Sequence, residues 1–304
     1  MKRVLITGSS GMLGCDLSRE LRKSYEVFGA DILARRSSFV VRSLKADITD
    51  AGSVAEVIKK TRSDIVIHAA AWTDVDACEL EPKKAYRINS TGTKNVALAC
   101  KKFGVPLIYI STDFVFSGNK KTPYKESDKP YPLGVYADSK LQGEKAVENI
   151  LKSYFIVRTS WLYGRCGKNF VDTIIAKAER ERSIKVVDDQ VGSPTCAKDL
   201  SAAIHKLLDR FFTGYGLRVT GYGTYHVSNS GAVSWYDYAR TILRITRLKT
   251  KVIPISSKEL ARPAKRPVMS VMDCSKFEKF TGFKMRNWKI ALKDYLVNCH
   301  CEER

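Results

Sequence analysis

The sequence predicts an α/β protein: a doubly wound parallel sheet with a smaller C-terminal lobe for substrate. Three observations predict it. An apolar run at residues 2–7 leads into Gly8, Gly11 and Gly14, and then into a helical repeat of Leu13, Leu17 and Leu21. Apolar strand-like segments alternate with helical ones as far as Trp161, the order that builds parallel strands with helices on both faces. Beyond Gly164 the alternation loosens, as expected for a second, smaller lobe.

Strand, glycine turn and helix in that order form the opening of a dinucleotide-binding, Rossmann-like unit. Glycines let the backbone turn tightly and approach a pyrophosphate, which then sits at a helix N-terminus. The next strand, residues 25–30, ends in Asp31. A carboxylate there accepts hydrogen bonds from adenosine ribose hydroxyls and repels a 2′-phosphate, which points to NADH. Arg35 and Arg36 follow and could offset that repulsion, so NADPH stays open. Residues 44–48 read as a short third strand carrying Asp47 and Ile48. The fourth, residues 64–71, ends in Ala69, Ala70 and Ala71, small enough for a ligand to pass close to the backbone. His68 inside that strand reads as a core residue.

Residues 82–103 are predicted helical, with Asn89 inside, and residues 105–110 form the next strand. It ends in Ser111, Thr112 and Asp113, and strand C-termini are where an open α/β sheet keeps its ligand. A polar loop, residues 117–134, leads to a helix carrying Tyr136 and Lys140. Four residues apart, they lie on one helix face, one turn apart. An ammonium near a phenol favours the phenolate, so Lys140 is expected to lower the pKa of Tyr136 and ready it for proton exchange with a carbonyl.

A strand follows at residues 153–161, then a helix (169–182), a strand (184–190), a helix (197–209), a turn rich in Gly and Tyr (213–224) and a strand (225–228). We divide the chain into a dinucleotide-binding domain, residues 1–165, and a mainly substrate-binding lobe, residues 166–304. Segments near 184–192 and 225–245 are expected to return to the first domain.

Bulk properties narrow the function. No run of about 18 apolar residues is present, so no membrane span is expected. The N-terminal residues lack the features of a signal peptide, and a cytoplasmic protein is expected. Eight cysteines are scattered without a C-x-x-C pair, which suggests reduced thiols. Cys299-His-Cys301 lacks a second ligand pair, so no metal site is expected. The net charge of +20 is dispersed. It reads as a solvated surface, or as attraction for an anionic nucleotide, and not as a specific nucleic-acid site.

The residues resemble the extended short-chain dehydrogenase/reductase superfamily and, within it, the dTDP-4-dehydrorhamnose reductase family. The resemblance is carried by Thr7-Gly-Ser-Ser-Gly-Met-Leu-Gly14, His68-Ala-Ala-Ala-Trp-Thr-Asp-Val-Asp76, Ser111-Thr-Asp-Phe-Val-Phe116 and Tyr136-Ala-Asp-Ser-Lys-Leu-Gln-Gly-Glu144. Arg158-Thr-Ser-Trp-Leu-Tyr-Gly164, Lys168-Asn-Phe170, Val186-Val-Asp-Asp-Gln-Val-Gly-Ser-Pro-Thr195 and Arg266-Pro-Val-Met-Ser270 complete it. It implies that Gly11, Met12 and Leu13 line the pyrophosphate, with Gly8, Gly14 and Ile110 also at the cofactor. Asp31 meets the ribose, Asp47 and Ile48 border the adenine, and Ala69 to Ala71 border the ribose and nicotinamide. Tyr136 is implied as proton donor and Lys140 as the residue that holds the nicotinamide ribose. Thr112, Asp113, Tyr136 and Trp161 meet the sugar, and the nucleotide half lies near Ser193 to Thr195.

The implied reaction is reduction of the C4 keto group of dTDP-6-deoxy-L-lyxo-4-hexulose to dTDP-L-rhamnose by NADH or NADPH. The resemblance also admits another nucleotide-4-ketosugar reductase, a regulatory subunit like the β subunit of methionine adenosyltransferase, and a homodimer. Dehydratases of the superfamily place Asp-Glu after the threonine; here Phe114 follows Asp113. The chain departs from the reductase pattern at Met269, Ser117 and Cys15.

Overall fold

The computed structural model describes residues 1–33, 42–213 and 221–299. Arg35, Arg36, His300 and Cys301 lie outside the described residues, as does the side chain of Cys299.

The main sheet begins with β1 (Arg3–Thr7), β2 (Glu26–Asp31), β3 (Arg42–Lys45), β4 (Ile65–His68), β5 (Leu107–Thr112) and β6 (Tyr154–Thr159). These strands alternate with α1 (Met12–Leu21), α2 (Ala51–Thr61), α3 (Val75–Leu80), α4 (Pro82–Tyr86), α5 (Thr93–Phe103) and α6 (Val135–Ile150). The central strands β4 and β5 are buried without interruption because both faces are covered. On β1, Val4 and Ile6 enter one core layer with Leu17 and Leu21 of α1, while Leu5 enters the other with Val54, Ile58 and Val96.

The smaller strands are β7 (Leu162–Tyr163), β8 (Ser183–Val187), β9 (Val191–Gly192), β10 (Thr195–Cys196), β11 (Gly223–His226), β12 (Val233–Ser234) and β13 (Lys251–Ile255). The remaining helices are α7 (Phe170–Ala178), α8 (Ala197–Thr213), α9 (Trp235–Thr246), α10 (Ser257–Leu260), α11 (Ser275–Thr281) and α12 (Trp288–Cys299).

Seven strands pair in the order β11-β6-β5-β4-β1-β2-β3, all parallel. The order reverses between β1 and β4, and the crevice beyond the strand C-termini at that point is where ligands of this architecture bind. Among the described residues, no helix is long and apolar enough to cross a membrane.

Three segments differ from the expected division. The strand near residues 184–192 does not return to the main sheet: β8 pairs with β13. Its burial alternates, with Ile184 and Val186 inside and Ser183 and Lys185 out, the pattern of a strand with one face on a core. That core also takes Tyr163, Ile174, Trp288 and Leu292. Within 225–245 only the strand part enters the sheet, as β11, because Tyr238, Ala239, Ile242 and Leu243 of α9 face the second core. Conversely, α8, expected in the smaller lobe, packs Leu200, Ile204 and Leu207 into the same layer as α1.

Candidate active site

The glycine turn is fixed by contact. Gly8 has φ +74°, and a Cβ there would come within 2.6 Å of Ala70 N. A Cβ on Gly14 would come within 2.1 Å of the Gly8 carbonyl oxygen, so α1 starts hard against the turn. The Ser10 N–H donates to Asp31 Oδ2 at 3.0 Å, which ties the turn to the end of β2.

Two cavities share the walls Gly8, Gly11, Ala69 and Ala71. One, of about 640 Å³, is lined by Asp31, Asp47, Ile48 and Ala70, with Trp72, Lys84 and Arg87. The other, of about 390 Å³, is lined by Met12, Leu13, Gly14, Ile110, Thr112, Asp113, Tyr136, Lys140 and Trp161. Between them these walls include every cofactor and substrate residue singled out in the sequence, except Ser193 to Thr195.

The Tyr136 hydroxyl is hydrogen-bonded to that of Thr112, and its ring stands edge-on to Phe114 with centroids 6.1 Å apart. Burial raises the phenol above its ordinary range; the Thr112 bond opposes this and the Asp113 carboxylate adds to it. The expected lowering by Lys140 is therefore corrected. Lys140 is buried, donates from Nζ to Ile110 O at 2.7 Å and lies over the Tyr109 ring at 4.3 Å. Burial pushes its own pKa down to about 7, with Glu144 opposing. Four-residue spacing sets the helix face, while the long side chain ends under β5.

Asp113 is 2% exposed, and its Oδ2 has no hydrogen-bond partner among the described residues. Burial pushes it up to about 7, opposed by the hydroxyls of Ser270 and Thr112, of which Thr112 donates to Oδ1 at 3.2 Å. Between the unfolded value of about 4 and the folded one, the native state holds a proton that the unfolded chain has released, so stability falls as pH rises. Asp113→Asn removes this cost. Urea midpoints of the two proteins, measured from acidic to neutral pH, should diverge in favour of the variant as pH rises; parallel curves would contradict the assignment.

The supports are polar and buried. Asn89, in a π-helical turn (Arg87–Gly92), accepts from Trp72 N–H at 2.8 Å and donates to Trp72 O and to Ser139 Oγ. It thereby ties the end of β4 to the Tyr136 helix. Glu144, on the same face of α6, accepts from Ser111 Oγ at 2.5 Å and from Arg158 Nε and Nη2 at 2.9 and 2.6 Å. His68 is fully buried between Thr7 and Thr93, and burial lowers it to about 3, as fits a core residue.

Trp161 adopts φ +45° and stacks on Trp235 at 3.5 Å with 4° between the rings. Trp235, Lys168 and Thr159 also line the smaller cavity and were not singled out as site residues. The signal for Lys168 was its place in the Lys-Asn-Phe stretch; Trp235 offered only an aromatic at a helix start. A third cavity, of about 500 Å³, adjoins through Thr73, Val75, Phe114, Lys168 and Trp235. It is walled by Gln190, Arg262 and Arg266, the two arginines reaching Asp76 at 3.1 and 2.9 Å. Ser193 and Thr195, expected near the nucleotide, are buried, their hydroxyls donating to Gly231 O and Ser193 O.

The family model described as "RmlD substrate binding domain" matches residues 1–301. The chain belongs to the RmlD family. It is 38% identical to the spore coat polysaccharide biosynthesis protein SpsK of Bacillus subtilis, over 97% of each chain. It is 35% identical to a dTDP-4-dehydrorhamnose reductase of Sinorhizobium fredii, over 94% of each. The crystal structure of dTDP-4-dehydrorhamnose reductase from Bacillus anthracis in complex with NADP superposes with a TM-score of 0.88 at 40% identity, covering 98% of this chain and 100% of that one.

The residues of this RmlD-family chain can hold a nicotinamide dinucleotide. Gly8 and Gly14 leave no room for a Cβ because the turn is tight and α1 packs against it, while Gly11 between them lines both cavities, the form of turn that holds a pyrophosphate at a helix N-terminus. The larger cavity can take an adenosine beside Asp31, and the smaller one a nicotinamide beside Tyr136.

Proposed function

We propose that this chain reduces the C4 keto group of dTDP-6-deoxy-L-lyxo-4-hexulose to give dTDP-L-rhamnose, using NADH or NADPH. The observation that carries the proposal is the Tyr136–Thr112 hydroxyl pair, set in the cavity between the glycine turn and Trp161. The bound nicotinamide supplies the hydride. Tyr136, held protonated by burial, gives its proton to the sugar O4 as negative charge develops there. Thr112 donates a hydrogen bond to the same oxygen and stabilises that charge. Asp113 holds a neighbouring sugar hydroxyl through its unpartnered Oδ2. Lys140, fixed at Ile110 and lining the same cavity, would hold the nicotinamide ribose. Trp161, braced by Trp235, offers a flat apolar wall to the deoxysugar.

The test is loss of absorbance at the NADH band with dTDP-, UDP- and GDP-linked 4-ketosugars, each with both coenzymes. Turnover of the dTDP sugar is expected; silence with every ketosugar would sink the proposal. In the same assay, Asp31→Ala should raise kcat/KM for NADPH relative to NADH by about tenfold, because a carboxylate no longer faces the 2′-phosphate. An unchanged ratio would remove Asp31 from coenzyme choice.

A further inference from the structure

Two cysteines far apart in sequence meet at the wall of the cofactor crevice. On α1, Met12, Cys15, Asp16 and Arg19 share one face. The loop between β7 and α7 crosses that face. A Cβ on Gly164 would sit 3.2 Å from both Met12 Cγ and Asp16 Oδ2, and one on Gly167 3.9 Å from Met12 Cβ. This crossing sets the Cys166 thiol beside that of Cys15, close enough for each to shift the other's proton affinity. Cys15 is buried, with its Sγ 3.8 Å from Ser10 O inside the glycine turn, whereas Cys166 is partly open to solvent. The residues beside the pair, Met12 and Lys168, both line the smaller cavity.

We propose that Cys15 and Cys166 are an oxidative modification site: a hydroperoxide converts them to a disulfide that ties the loop to the glycine-turn helix and weakens dinucleotide binding. The accessible Cys166 is the thiol attacked first. The neighbouring Cys15 holds its pKa below the ordinary range, with Arg19 and Arg165 assisting and burial and Asp16 opposing. Cys78, Cys100, Cys196 and Cys274 are instead raised by burial to about 11 or 12, which makes them poor nucleophiles.

The chemistry balances. Cys166 thiolate attacks one peroxide oxygen, the O–O bond breaks, and the departing hydroxide takes a proton to leave as water. Cys166 is then a sulfenic acid. Cys15 sulfur attacks the Cys166 sulfur, the S–O bond breaks, and a second water leaves with the Cys15 proton. Two thiols are oxidised and one peroxide is reduced to two waters.

The full chain is treated with hydrogen peroxide, alkylated, digested and mapped by mass spectrometry, and NADPH affinity is measured before and after. A linked peptide pair containing Cys15 and Cys166 is expected, lost on adding dithiothreitol, with Kd for NADPH raised about fivefold or more. Cys166→Ser should form no such link and keep its affinity after peroxide. Cys15→Ala should stop at a Cys166 sulfenic acid that dimedone traps. Absence of the link while Cys274 is oxidised would overturn the site, and a link with unchanged affinity would overturn its coupling to the crevice. The crosslink is read without substrate, so its failure is distinct from failure of the reductase reading.

Discussion

Tyr136→Phe should lower turnover by about 10²- to 10⁴-fold, the usual worth of a positioned general acid, while NAD(P)H still binds. The substitution keeps the ring, its edge contact with Phe114 and the packing of α6, and removes only the hydroxyl bonded to Thr112. Because burial holds the phenol above its ordinary range, the wild-type donor is fully protonated at neutral pH, so the variant's deficit should not vary with pH there. Single-turnover rates and coenzyme titration read the two quantities separately. Near-native turnover would take Tyr136 out of the proton transfer; loss of coenzyme binding as well would make it a cofactor residue instead.

Glu144→Ala should cost about 3–5 kcal/mol of stability, read from urea unfolding. Glu144 and Arg158 have side chains only 1% and 5% exposed. Removing the carboxylate strands a guanidinium whose Nη1 already lacks a partner among the described residues, and leaves Ser111 Oγ without its acceptor. Replacing both by methionine should recover much of the loss, because the interior is then apolar and unbroken. A single variant as stable as the wild type would mean that water or another acceptor reaches Arg158. Glu144 lies on the α6 face that carries Tyr136 and Lys140, so this pair also holds the catalytic helix against β5 and β6.

Much of this arrangement was legible in the sequence. The glycine spacing placed α1, and the strand ends placed Asp31, Ala69 to Ala71 and Thr112 around one crevice, because parallel strands deliver their C-termini to the same side. What escaped depended on side-chain length and on partners distant in the chain. Lys140 was assigned to the right helix face, but its Nζ reaches Ile110, and burial governs both its pKa and that of Tyr136. Trp235 meets Trp161 only because both pack against the second core, which no local pattern encodes. The placing of β8 was recoverable, since Ser183–Val187 alternates where the central strands do not.

The sheet is finished by residues made late. β11 closes the edge beside β6, and α8 covers the apolar stripe of α1, although both follow β1 by most of the chain's length. While the chain is being synthesised, the first six strands must wait with the greasy side of α1 uncovered until α8 has left the ribosome, and with the β6 edge open until residue 226 has followed. A truncated product ending after Trp161 would carry the whole glycine turn and Tyr136, yet it would be a sticky, edge-exposed fragment.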